Sequence, residues 1–292
     1  MDKYSLLALA VVVALAVIVY AIKSRKYGDI DLSIPDTRRT DLLYGYYSSL
    51  DRSYEQTKDH INLFWYSNFF GLNQFIDILR GTECKVVFDV APYISKKIEG
   101  TWKVAYDETA ETRLEAVLVQ LEQAGVLGKI AYLYPIDEPT INVISETDHL
   151  KMIQATKRVA AKFPALAGVR YAVIYPRKDP FWNLAEHDVV GVDNYDQKSE
   201  ILTRGDHARL KKSLLPGQRT MLVPGAAFGQ NPTPFIAYAL RNPEEVEMVV
   251  PFLWFDDPNH KDTDFTGLEN MPADFKTQWI HASKIARGVD KE

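Results

Sequence analysis

Eight short apolar runs, separated by segments with helical spacing, constrain the fold of this chain more than any other feature of its sequence. Most of the runs are continuous rather than alternating, as in parallel strands buried on both faces. Eight strands that alternate with helices within about 250 residues favour a closed barrel over an open sheet. No G-x-G-x-x-G motif follows the first run, which argues against a dinucleotide-binding sheet. The sequence therefore predicts an α/β fold, a (β/α)8 TIM barrel. The runs are LLYGYYS (42–48), INLFWY (61–66), KVVFDVAPY (85–93), KIAYLYPI (129–136), GVRYAVIY (168–175), DVVGVDNY (188–195), RTMLVPGA (219–226) and EMVVPFLWF (247–255).

Helical spacing is clearest in three segments between or after these runs. Residues 108–124 carry four apolar side chains on one predicted face, and residues 145–163 and 272–286 show similar spacing. The connections after the fifth and sixth runs are weaker. These patterns fit helices that cover the outside of a barrel.

An uncharged apolar stretch, residues 4–22, precedes the runs and is long enough to cross a bilayer as a helix. A cleaved signal peptide is the alternative, but the stretch exceeds the usual apolar region and lacks a convincing small-x-small cleavage site before Lys23. We therefore predict an N-terminal transmembrane helix ahead of the barrel. The predicted division is a membrane anchor over 1–26, a tether over 27–40 and the barrel over 41–288.

The charges that flank the apolar stretch bear on membrane topology. Lys23, Arg25 and Lys26 follow it, whereas only Lys3 and the terminal amine precede it. By the positive-inside rule these charges favour a cytoplasmic barrel. We nevertheless predict an extracytoplasmic location, because the function that the residues at the ends of the runs indicate favours it.

Composition narrows the classes of ligand. A net charge of -5 and a pI near 5.8 offer no basic surface for a phosphate backbone, so no nucleic-acid partner is expected. The single cysteine, Cys84, excludes an intramolecular disulfide, and the six histidines show no H-E-x-x-H spacing. We predict neither a metal nor a cofactor.

The ends of the runs are unusually polar and aromatic. In a barrel of this type the active site lies at the carboxyl ends of the strands, so these positions are candidate site residues. Aromatic rings beside carboxylates suit sugars, whose C–H faces pack on rings while their hydroxyls take directional hydrogen bonds. The sequence thus predicts a carbohydrate substrate. The candidate substrate-binding residues are Tyr46, Trp65, Asp89, Asp193, Tyr195, Asp196, Trp254 and Asp256.

The fourth run ends in IAYLYPIDEP, residues 130–139, which places Asp137 and Glu138 side by side before Pro139. Adjacent carboxylates repel, so the pKa of one is expected to rise, as a general acid requires. Proline disfavours helical geometry at Glu138, which could aim that side chain across the barrel mouth. A solvated acidic turn that caps the next helix is the alternative reading.

This run resembles the fourth strand of barrel glycoside hydrolases, and the match to hexosaminidases of families 20 and 123 is position by position at Asp137 and Glu138. The resemblance implies that Glu138 is the general acid and base. It also implies that Asp137 orients an N-acetyl group of the substrate, which acts as internal nucleophile. The sixth run, VDNYD (192–196), resembles the strand end of family 18 chitinases, where a tyrosine contacts the acetamido group; here that tyrosine would be Tyr195.

Two departures keep alternatives open. The seventh run continues as VPGAAFGQN (223–231) without the glutamate that serves as nucleophile in the Asn-Glu-Pro clan, and the D-x-x-D-x-D-x-E spacing of chitinases is absent. A substrate-assisted scheme and an inverting scheme, with Asp89, Asp193, Asp196 or Asp256 as base, both remain. A noncatalytic glycan-binding barrel is the chief rival to an enzyme. A barrel acting on a phosphorylated metabolite ranks last, since no lysine ends the seventh run.

Overall fold

The computed structural model describes residues 39, 41–47, 51–67, 71–193, 195, 202, 205–256 and 266–289. These residues belong to one compact unit that spans 33–292. Within them, no helix combines the length and the apolar character needed to cross a membrane. The predicted anchor, residues 4–22, lies outside the described residues, and so does almost all of the predicted tether.

Eight parallel strands form the centre of the structure, one in each predicted apolar run. They pair in the order β1-β10-β9-β8-β7-β6-β3-β2, so each strand pairs with the next barrel strand in the chain. A separate two-stranded hairpin between β3 and β6 is not part of the barrel. The prediction of an eight-stranded parallel barrel with helices is confirmed. The barrel strands are β1 (Leu43–Tyr44), β2 (Leu63–Tyr66), β3 (Lys85–Asp89), β6 (Ile130–Tyr134), β7 (Arg170–Tyr175), β8 (Val189–Asp193), β9 (Arg219–Val223) and β10 (Val246–Val249).

The barrel closes where β1 meets β2. The Asn62 N–H donates to the Tyr44 carbonyl at 3.0 Å, and the Asn62 side chain accepts from the Tyr44 N–H at 2.7 Å. At Gly45 the strands approach so closely that an added Cβ would lie 2.0 Å from the Leu63 carbonyl oxygen. Glycine is therefore required at this point of the seam.

Helices cover the barrel, and three of them match the predicted segments closely: α4 (Ala110–Gln123), α6 (Glu146–Ala160) and α9 (Ala273–Ala286). Ser145 caps α6 by accepting the Asp148 N–H at 3.1 Å. The sequence did not predict the antiparallel hairpin of β4 (Ser95–Lys97) and β5 (Val104–Tyr106). The other helices are α1 (Asp51–Thr57), α2 (Leu72–Gly81), α3 (Ala91–Ile94), α5 (Pro139–Asn142), α7 (Asp206–Ser213) and α8 (Thr233–Arg241).

Strand alternation decides which side chains enter the barrel. Tyr132 and Tyr134 of β6 belong to the buried cluster inside the barrel, which also contains Trp65. Ion pairs lie at the amino-terminal end of the barrel: the Glu247 carboxylate is 2.8 Å from the Arg170 guanidinium and 2.7 Å from that of Arg219. The opposite end, where the strands finish, carries the candidate site.

Candidate active site

Asp137 and Glu138 follow β6 at the mouth of the barrel. Pairing with β7 resumes after Tyr134, since Asp137 forms a bridge with Ile174 and the Glu138 N–H donates to the Ile174 carbonyl at 3.1 Å. Glu138 adopts a left-handed conformation, φ 40° and ψ 63°, immediately before Pro139 opens α5. A glutamate in this conformation is sterically strained and is held by its surroundings.

Three donors hold the Asp137 carboxylate. The Tyr134 hydroxyl donates to Asp137 Oδ1 at 2.6 Å, and the Tyr47 hydroxyl and the Glu138 backbone N–H also hydrogen-bond to it. The dense protein around Asp137 raises its pKa, and these hydrogen bonds act in the opposite direction. Asp137 is therefore a fixed acceptor rather than a mobile surface acid.

Glu138 and Asp193 are hydrogen-bonded to each other through their carboxyl groups. Such a bond requires a proton on one of the two, because a carboxylate only accepts. Burial and the negative charges of Asp193 and Asp137 raise the pKa of Glu138, and the pKa of Asp193 is raised chiefly by burial. The bond raises the pKa of Glu138 and lowers that of Asp193, which favours the proton on Glu138.

Asp89 ends β3 on the same side of the site. Its Oδ1 accepts the Ala91 N–H at 2.9 Å. Burial and the charge of Asp137 raise the pKa of Asp89 to about 7. Four carboxyl groups from β3, β6 and β8 thus share the mouth, where burial raises the pKa of each and the charge of Asp137 raises those of the other three further.

Aromatic rings form a floor beneath these acids. Tyr47 packs on Trp65 with ring centres 4.8 Å apart, and Trp65 packs on Tyr134 at the same distance. Tyr195 stacks on Phe252 with ring centres 5.1 Å apart, and Phe252 also contacts Tyr47. The predicted candidates Trp65 and Tyr195 are therefore part of the site, whereas Tyr47 and Phe252 were not predicted.

The loop that carries Tyr195 is tied to the strand beside it. Tyr195 hydrogen-bonds to the Asp193 carboxylate through its hydroxyl. Its backbone carbonyl accepts the Gln230 side-chain N–H at 2.8 Å, and Gln230 Oε1 accepts the Gly225 N–H at 2.7 Å. The sequence did not predict a role for Gln230, because nothing in the residues around it indicates that its amide is buried and holds a loop in place.

A second unpredicted contact lies beyond Glu138. The Thr140 hydroxyl donates to Asp179 Oδ2 at 2.7 Å, and the charge of Asp179 adds to the rise in the pKa of Glu138. Asp179 lies in the loop after β7, and the sequence did not mark it as a candidate site residue. The contact joins that loop to the turn that holds Glu138.

Tyr46 and Trp254, both predicted to bind substrate, are not brought to the acids. Tyr46 points outward from β1, and Trp254 is 4% exposed and lies against it, with ring centres 4.9 Å apart. His60 contacts both rings, and Gln56 of α1 accepts the Trp254 indole N–H. These rings pack between the barrel and α1, so the placement does not support a sugar platform at Trp254.

Asp256 is held in its loop by local hydrogen bonds. Its carboxylate accepts the Gly267 N–H at 2.5 Å and the Asn270 side-chain N–H at 2.6 Å. These hydrogen bonds indicate that Asp256 stabilises the loop. Asp196, the remaining candidate, lies outside the described residues.

Known structures with the same barrel were found at low sequence identity. Saccharomyces cerevisiae Gas2p in complex with laminaripentaose is 11% identical, with a TM-score of 0.53 over 91% of this chain and 68% of that one. An apostructure of a Gas2p mutant is 12% identical, with a TM-score of 0.53 over 86% of this chain and 61% of that one. Apo Bacteroides uniformis β-glucuronidase 3 is 9% identical, with a TM-score of 0.52 over 82% of this chain and 37% of that one.

This chain has the same barrel fold as these structures. It spans less than two thirds of the length of the Gas2p apostructure and of the β-glucuronidase. No family model matches the sequence, and no curated protein matches it. The comparisons therefore establish the fold, while the chemistry must be argued from the residues at the barrel mouth.

A metal ion is not indicated at this mouth. Across the part of the chain that the structure describes, no three His, Cys, Asp or Glu side chains are arranged to hold one. The acids instead satisfy one another by sharing protons and by accepting phenolic hydrogen bonds. This arrangement suits proton transfer to a bound molecule.

Proposed function

We propose that this protein is a glycoside hydrolase that cleaves an oligo- or polysaccharide, with Glu138 as its general acid and base. The hydrogen-bonded pair of Glu138 and Asp193, beside the charge of Asp137, is the observation that carries the proposal. A glutamic acid that keeps its proton at neutral pH can donate it to the leaving oxygen of a glycosidic bond. The barrel shared with a β-glucuronidase and with a protein bound to laminaripentaose supports carbohydrate as the substrate class.

The direct contact of Glu138 with Asp193 favours one mechanism over its rivals. Retaining enzymes place their two carboxyl groups about 5–5.5 Å apart and inverting enzymes about 6.5–9.5 Å apart, so that the sugar carbon or a water fits between them, whereas Glu138 and Asp193 are hydrogen-bonded to each other. Asp193 is therefore better suited to hold the Glu138 proton than to attack the sugar. A substrate-assisted scheme, in which an acetamido group of the substrate attacks, fits this geometry.

In this scheme the Glu138 proton passes to the glycosidic oxygen as the sugar C1–O bond breaks. The acetamido oxygen bonds to C1 from the face opposite the leaving group and forms a cyclic intermediate, and Asp137 stabilises the positive charge that develops. Glu138, now a carboxylate, then removes a proton from the water that hydrolyses the intermediate. Tyr195 lies beside Asp193 and would contact the acetamido group or a hydroxyl.

The decisive experiment compares wild type, Glu138→Gln and Asp137→Asn on N-acetylated and neutral oligosaccharides. Each substitution keeps the side-chain shape and removes an ionisable group. We expect Glu138→Gln to lower kcat/KM by about a hundredfold or more, because it can no longer donate and recover a proton. Asp137→Asn should cause a comparable loss on N-acetylated substrates.

Asp77→Asn provides the matched control. Asp77 is exposed on α2 and pairs with Arg80, so the same chemical change there should leave activity unaltered. Full activity of Glu138→Gln would contradict the assignment of the acid.

A noncatalytic glycan-binding barrel is the second candidate, and the end of β9 favours it. Val223 is followed by Pro224 and Gly225, which supply no carboxylate where many barrel glycosidases have their nucleophile. Wild-type protein that binds oligosaccharides in calorimetry but hydrolyses none of them would support this candidate. In that case Glu138→Gln should change affinity rather than turnover.

We also propose that residues 4–22 anchor the protein in a membrane with the barrel on the extracytoplasmic side. The uncharged apolar sequence supports the anchor, and a polysaccharide substrate supports the location. Alkaline extraction should leave the full chain in the membrane fraction. Protease added to intact cells or spheroplasts should then degrade the barrel; protection of the barrel would place it in the cytoplasm.

A further inference from the structure

Trp102 is the largest exposed apolar side chain of the described residues, with 63% of its surface accessible to solvent. It precedes β5 in the β4–β5 hairpin, which is inserted between β3 and α4. Tryptophan is highly buried on average, and an exposed ring near a candidate site suggests contact with a ligand. Because β3 ends at Asp89, the insertion starts from the barrel mouth.

Backbone contacts join this hairpin to the segment that follows Glu138. Val104 pairs with Val143, and the Ile144 N–H donates to the Val104 carbonyl at 2.9 Å. Only the single turn α5 separates Glu138 from Val143, a span of roughly 8 Å at the helical rise of 1.5 Å per residue. Trp102 therefore belongs to the rim of the same mouth, beyond the acids.

The hairpin turn is fixed by local bonds. The Thr101 hydroxyl donates to the Ile98 carbonyl at 3.1 Å and accepts the Lys103 N–H at 3.2 Å. The Lys103 ammonium lies 5.6 Å from the centre of the Trp102 ring and 3.5 Å from the Val143 carbonyl oxygen. A ring held in this way loses little conformational freedom when it binds.

We propose that Trp102 is the platform of a distal sugar-binding subsite, on which a sugar ring stacks several units away from the bond at Glu138. Indole surfaces bind the C–H faces of sugar rings, and the exposed ring of Trp102 is accessible to a chain that continues out of the mouth. This inference rests on the proposed function. A subsite at this position would increase the affinity for long oligosaccharides but not for short ones.

The test is calorimetry with the full-length protein in detergent and two pairs of ligands: laminaripentaose with laminaribiose, and the pentamer with the dimer of N-acetylglucosamine. For whichever pentasaccharide wild type binds, Trp102→Ala should lower the affinity about tenfold, because the apolar face of one sugar ring is no longer covered. Binding of the corresponding disaccharide should change by less than about twofold. Trp102→Phe, which keeps a smaller ring, should bind the pentasaccharide with an affinity between those of wild type and Trp102→Ala.

Leu215→Ala is the matched control, because Leu215 is 45% exposed and lies in the loop before β9, at the opposite end of the barrel. It should bind both lengths as wild type does. Unchanged pentasaccharide binding by Trp102→Ala would overturn the subsite and leave the proposed function intact. An equal loss for both lengths would also overturn it, whereas wild type that binds none of the four sugars would overturn both proposals.

Discussion

The proton held by Glu138 links the candidate chemistry to stability. The pKa of Glu138 is raised in the folded protein by burial and by Asp193 and Asp137, whereas the unfolded chain has the ordinary value near 4.5. Between that value and the raised one, the folded state binds more protons than the unfolded state. The stability contributed by this group is thus fully present at low pH and is lost as the pH rises through the raised pKa.

We therefore expect the unfolding temperature of wild type to fall between neutral and alkaline pH, and that of Glu138→Gln to fall less. An amide carries no charge to bury, so the variant should be more stable than wild type at pH 9. Thermal unfolding followed by circular dichroism from pH 6 to pH 9 would measure this difference. Parallel curves for the two proteins would mean that Glu138 carries no raised pKa.

Residue types at strand ends predicted part of the site but could not settle which side chains face inward. Asp89, Asp137, Glu138, Asp193, Tyr195 and Trp65 were found from the sequence, and all of them lie at the barrel mouth or on its floor. Tyr46 and Tyr47 are adjacent in a wholly apolar run, so the alternation of the strand could not be read from hydrophobicity. In the structure Tyr47 points inward and Tyr46 outward, and Trp254 packs against Tyr46 on the outer side.

At the scale of elements, continuous apolar runs were enough to locate the barrel strands. The hairpin escaped prediction because β4 reads Ser-Lys-Lys and neither strand is long enough to show alternation. It is held by contacts distant in sequence, such as the Tyr106 N–H donating to Asp148 Oδ1 at 3.1 Å. Local pattern therefore finds buried elements and misses those that tertiary contacts define.

A buried pair of histidines joins α6 to the loop before β8. The rings of His149 and His187 stack with centres 5.5 Å apart, and the Asn183 amide lies 3.2 Å from His149 Nδ1. Burial lowers the pKa of His149 to about 4, and burial with the nearby His149 and Lys157 lowers that of His187. Both rings are thus neutral in the folded protein at neutral pH.

Acid should release this contact. As the pH falls from about 6.5 towards 4, the histidines of the unfolded chain bind protons that the folded pair resists, so stability falls. We expect His187→Phe, which keeps a stacked ring and removes one titrating group, to retain more stability at pH 5 than wild type. Urea unfolding at pH 7 and pH 5 would test this, with exposed His281→Gln as the control; an equal pH dependence in His187→Phe and wild type would contradict it.

At the scale of the whole molecule, the two ends of the barrel interior differ in kind. At the amino-terminal end Glu247 forms ion pairs with Arg170 and Arg219 and accepts the Tyr132 hydroxyl. The opposite end gathers acids without paired cations among the contacts that shift their pKa values. Paired charges thus lie at one end, whereas burial and like charges raise the pKa values of the acids at the other.

Closure of the barrel depends on Gly45, and its replacement gives the sharpest test of the architecture. In Gly45→Ala the new Cβ would meet the Leu63 carbonyl oxygen at 2.0 Å, so β1 and β2 must separate and the bond from the Asn62 N–H to the Tyr44 carbonyl must weaken. We expect a loss of about 3 kcal/mol, the upper end for overpacking, measured by urea unfolding. Gly168→Ala, with nothing within 4 Å of its Cβ, should be neutral or slightly stabilising. If Gly45→Ala unfolds at the same urea concentration as wild type, the strands do not meet as described.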